Sequence, residues 1–73
     1  MDNKELLKME RALEAVARAS QDKNLSDGAL HMYAIAAIIS DDEWRFTEDE
    51  LIKAAKDPII SSMADAAVRM VRE

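Results

Sequence analysis

The sequence predicts an all-α fold: a small single domain of about four helices with a helix-turn-helix-like core. Three observations predict it. Glycine and proline occur once each in 73 residues, too few for the many turns of a β-fold. Alanine, leucine, glutamate and lysine, all good helix formers, are common. Apolar residues recur at helical spacing over most of the chain. The domain spans 1–73, with an N-terminal helix within 1–22 and the core over 25–72.

The first helix is predicted from about Asp2 to Ser20, capped by Asp2 or Asn3. Leu6, Met9, Leu13 and Val16 form its apolar stripe, widened by Ala12 and Ala17. Glu14 and Arg18 make an i,i+4 pair in the favourable order. The polar run "QDKN" ends the pattern. The second helix begins at "LSDGAL", where Ser26 is the N-cap, Asp27 suits the positive end of the dipole and Leu25 staples onto Leu30. Its body, "ALHMYAIAAII", is apolar nearly all round and reads as the central core helix. Met9, Met32, Met63 and Met70 are read as core packing, and His31 as partly buried or at an exposed edge.

The third helix has the clearest start. Thr47 and Glu50 form a capping box, and Phe46 and Leu51 a hydrophobic staple. Pro58 bounds this helix, because the residue before a proline is pushed out of the helical region. Two starts remain for the last helix: Asp57 as cap with Pro58 at the first position, or a cap at Ser61 or Ser62. Its inner face holds Met63, Ala67, Met70 and Val71.

The order of these elements, with "WRFTEDEL" opening the third helix, resembles the three-helix core of winged helix-turn-helix domains. The likeness covers residues 25–72 and is closest to the domains of phage replication and regulatory proteins, where W-x-[FT]-T-x-x-x-L opens the motif. The resemblance implies a DNA-reading last helix. The sequence departs from it in three ways. "KDPII" replaces the usual turn glycine. No wing follows before Glu73. The leading turns of the last helix offer Ser61, Ser62 and Asp65, where base edges are normally met.

Composition excludes several classes of function. With no cysteine, disulfides and thiolate metal sites are ruled out. The N-terminus lacks the basic start and apolar run of a signal peptide. The longest apolar run, Met32 to Ile39, is too short to span a bilayer. A cytoplasmic protein without membrane or cofactor is the expectation. The acids from Asp41 onward do not fit a calcium loop, since Arg45, Phe46 and Ile52 fall where ligands and the turn glycine belong. A catalytic carboxylate needs desolvation, which a turn does not provide. With one histidine and no recognisable nucleophile–base spacing, the chain is not expected to be an enzyme.

The charge is concentrated. The net charge is −5, residues 1–24 balance five acids against five bases, and residues 41–50 hold six acids and Arg45. Such a surface repels phosphates and attracts basic partners. The candidate docking residues are Asp41, Asp42, Glu43, Trp44, Glu48 and Asp49. Their expected target is a basic surface on a protein, including one that binds nucleic acid. Small acidic inhibitors from phages and mobile elements, such as anti-restriction and anti-CRISPR proteins, are analogous in size and charge. Trp44 has two readings, packing beside Phe46 over the helix ends or acting as an exposed anchor, and packing is favoured. The alternative function is a DNA-binding dimer using Lys53, Lys56, Ser62, Arg69 and Arg72, its first helices paired through Leu6, Met9, Leu13 and Val16. A purely structural oligomeric bundle is a third reading.

Overall fold

A computed structural model describes residues 3–40 and 43–73; Asp2, one of the two expected N-caps, and the candidate docking residues Asp41 and Asp42 lie outside the described residues. Helix α1 spans Asn3–Ala19, α2 Asp27–Ile39, α3 Glu48–Lys56 and α4 Pro58–Arg72, with no strand among the described residues.

Side chains a few residues away fix most of the helix starts. Ser26 Oγ accepts from the Ala29 amide at 3.1 Å and starts α2. The capping box of α3 is complete: the Glu50 amide donates to Thr47 Oγ1 at 3.1 Å, and the Thr47 amide donates to Glu50 Oε1 at 3.3 Å. Thr47→Ala is expected to cost about 1 kcal/mol, read as a lower denaturant midpoint at unchanged slope. No measurable loss would mean that α3 forms through packing alone.

The two starts considered for α4 resolve in favour of Pro58. Asp57 Oδ1 accepts from the Ile59 amide at 2.9 Å, and Pro58 takes the first helical turn, where its missing N–H costs nothing. Asp57, at φ −80° and ψ 117°, is at once the C-cap of α3 and the N-cap of α4. The extended conformation that a proline demands of its predecessor is what separates the two helices. A single residue therefore joins them, whereas the turn of a helix-turn-helix motif has about three or four.

The core forms around Val16, Leu30 and Ile35, the largest fully buried side chains. Alanines from all four helices (Ala12, Ala34, Ala54, Ala64 and Ala67) surround them. Small side chains let the helix axes approach closely. Helices α2 and α4 each touch the other three, while α1 and α3 do not meet. The centre is thus shared by two helices instead of being held by α2 alone. The chain packs to a Cα radius of gyration of 11.2 Å, as expected for a folded chain of this length.

Several stripe assignments change. Leu6 and Ala17 are exposed on α1, because the turn of α1 facing the core runs through Ala12 and Val16. Met32 and Met70 are also exposed, so they do not serve as core packing, whereas Met9 and Met63 lie against the core. Met9 and Leu13 pack on the domain's own core and Val16 is fully buried. Of the four residues expected to pair two first helices, only Leu6 remains largely open.

Candidate functional site

Residues 43–47 link α2 to α3, and the local rules that set their course are readable. Ser40 ends α2. Its amide donates to the Ala36 carbonyl at 2.9 Å, and its own carbonyl accepts from Arg11 Nη1 of α1 at 3.1 Å. A cation at this end also suits the negative pole of the α2 dipole. Nothing in the sequence pointed to Arg11, because the contact joins residues 29 positions apart on different helices.

Past this anchor, Trp44 adopts φ +59°, the one non-glycine residue with positive φ among the described residues. For an L-residue that conformation crowds Cβ against the backbone and costs about 1–2 kcal/mol. It also breaks the alternation that would have placed Trp44 and Phe46 together over the helix ends. Trp44 is 49% exposed and Phe46 36%. The favoured expectation, that Trp44 serves mainly as packing, is corrected: about half of the residue's surface is open to solvent. Trp44 also borders a cleft of about 150 Å³ formed with Arg11, Glu14, Ala15, Arg18, Ala37 and Ser40.

Carboxylates surround this indole in sequence. Glu43 pairs with Arg45 at 3.3 Å, both well exposed. Glu48, Asp49 and Glu50 occupy the first turn of α3, exposed and favoured by the helix dipole. Glu43, Trp44, Glu48 and Asp49 therefore lie on one short exposed segment. Among the described residues, no group of three or more acids or histidines is disposed to hold a metal ion, and no helix is long and apolar enough to cross a membrane.

No family model, curated protein or solved structure matches this chain.

The residues of the DNA-binding alternative fall at opposite ends of α4. Lys56 adjoins its start through Asp57, with Lys53 one turn earlier, while Arg69 and Arg72 lie in its last turn. At 1.5 Å per residue the two ends are about 20 Å apart. Arg72 is already engaged, with Nε 3.1 Å from Asp27 and Nη2 donating to the Leu25 carbonyl at 3.2 Å. Ser62 is exposed. Asp65, between Ser62 and Arg69, is 2.9 Å from His31 Nδ1, so His31 tethers α2 to α4. Asp27, His31, Asp65 and Arg69 share one cleft, which puts two carboxylates where a phosphate would have to approach.

The backbone strain at Trp44 can be measured. At this position glycine should be more stable than alanine by about 1 kcal/mol, the reverse of their order in a helix. Comparing Trp44→Gly with Trp44→Ala isolates the backbone effect, since both variants lose the indole. An alanine variant as stable as the glycine variant would show that residue 44 readily relaxes to negative φ.

Proposed function

We propose that this chain is a small non-enzymatic binding protein that docks its segment 43–50 on a basic surface of a macromolecular partner. Trp44 carries this reading: a large aromatic held at positive φ, half exposed, between exposed carboxylates. Burial does not account for a tryptophan left half exposed, and a glycine would meet the turn geometry without strain. An aromatic anchor within a charged rim is the usual composition of an interface hot spot. The carboxylates speed encounter and fix register against a cationic surface. Proteins that bind nucleic acid present such surfaces, and an acidic protein of this size competes for them in the manner of a phosphate backbone.

Two variants with the same charge change test this function. In one, Glu43, Glu48 and Asp49 become lysine; in the other, Glu5, Glu10 and Asp22 do. Wild type and the second variant, immobilised in extract of the native host, should retain the same basic protein at low salt. The first variant should not retain it. With the purified partner, Trp44→Ala should weaken binding by about 2 kcal/mol, roughly thirtyfold. Equal retention by both charge variants would overturn the assignment of the surface. Retardation of random duplex DNA by the chain itself, weakened by removing Lys53 and Lys56, would favour the DNA-binding dimer instead.

A further inference from the structure

The molecule also carries a surface of opposite character. Next to the cleft at Trp44 lies a second one of about 330 Å³, lined by Lys4, Leu7, Lys8 and Arg11 of α1, Ile38 and Ile39 of α2, Ser40, and Ile60 of α4. Its described lining contains four aliphatic side chains and three cations and no acid. Leu7 is 51% exposed, and Lys4 and Lys8 enter no ion pair among the described residues. In a chain of net charge −5, an apolar groove edged by bases is complementary to an acidic segment that also presents large apolar side chains.

The chain itself has such a segment, with Trp44 and Phe46 exposed beside Glu48, Asp49 and Glu50. Arg11 and Ser40 line both clefts, and Trp44 borders the first. The Trp44 end of the acidic segment therefore adjoins the groove, while Glu48, Asp49 and Glu50 lie on α3, which does not touch α1. A two-fold dimer forms when the contact is reciprocal, each copy's groove taking the other's segment, whereas a one-way contact would chain copies head to tail. We propose that the groove between α1 and the α2 terminus receives the 43–50 segment of a second copy, forming a reciprocal homodimer that covers the segment's docking face. This inference rests on the reading of 43–50 as a docking element and adds that self-association competes with the partner.

A charge swap tests it. The K4E/K8E variant has an acidic groove and a native segment; the E48K/D49K variant has a native groove and a basic segment. Each alone should be monomeric in sedimentation equilibrium, with self-association weakened about tenfold or more. Mixed, they should form a heterodimer, because both of its contacts are then between opposite charges. Wild-type dimer should also dissociate in about 1 M salt, where the screening length is about 3 Å. Circular dichroism checks that both variants fold. A wild-type chain that is monomeric at all concentrations would overturn the proposal. So would a dimer indifferent to both reversals, most directly one lost on Met70→Glu, which would place the contact on exposed α4. Failure of the partner reading looks different. The K4E/K8E variant keeps its acidic segment, so it should bind a basic partner at least as well as wild type. If it does not, while the charge swap succeeds, the dimer stands and the partner reading falls.

Discussion

Leu30→Ala is expected to cost about 2–5 kcal/mol, close to the whole stability of the domain. Leu30 is fully buried in α2, one of the two helices that touch each of the other three. Seven of the twelve buried apolar residues among those described are alanines. Each buries little area, so the few large side chains supply most of the hydrophobic stabilisation. A folded chain of this length holds roughly 4–11 kcal/mol in total, and cores this small tend to the lower end. Urea titration followed by circular dichroism should show the midpoint falling by half or more, or the variant unfolded in buffer. A loss below about 1 kcal/mol would mean that the neighbours collapse into the space left by Leu30.

Ala64→Leu is expected to be the second most damaging change, for the opposite reason. Ala64 of α4 has no exposed surface, and its methyl lies in the core cluster shared by the four helices. Adding three carbons forces the axes apart or drives neighbours off their rotamers, at about 1–3 kcal/mol. Alanine and leucine have nearly equal helix propensity, so the loss reports packing and not local structure. Ala17→Leu, at an exposed position on α1, serves as the control and should stay within about 0.5 kcal/mol of wild type. If the two changes cost the same, close helix approach is not what the alanines provide.

The contrast between these residues marks how far the sequence was legible. Ser26, Thr47 and Glu50 were readable as caps because each bonds an amide or side chain within three residues. Pro58 announced a break for an equally local reason, although only the Asp57–Ile59 contact settled that α4 begins at Pro58 and not after a cap at Ser61 or Ser62. Leu6, Met32 and Met70 sat on apolar stripes yet ended up exposed. Helical periodicity says which residues share a face. It does not say which neighbour covers that face or where the cover stops. The candidate site divides in the same way. The exposed carboxylates of the first α3 turn followed from the capping box, while the exposure of Trp44 did not, because it hangs on a positive φ that no residue type there announced.

By itself the sequence determined the four helices, the caps of α2 and α3, and the concentration of negative charge after α2. All of these rest on interactions within a turn or on composition. Only the tertiary structure decided that α2 and α4 share the centre, that Arg11 closes the end of α2 from another helix, and that Trp44 is left half open beside a groove edged by bases. Those features depend on which surfaces meet across tens of residues, and the covering of an apolar stripe is a property of the neighbour as much as of the stripe.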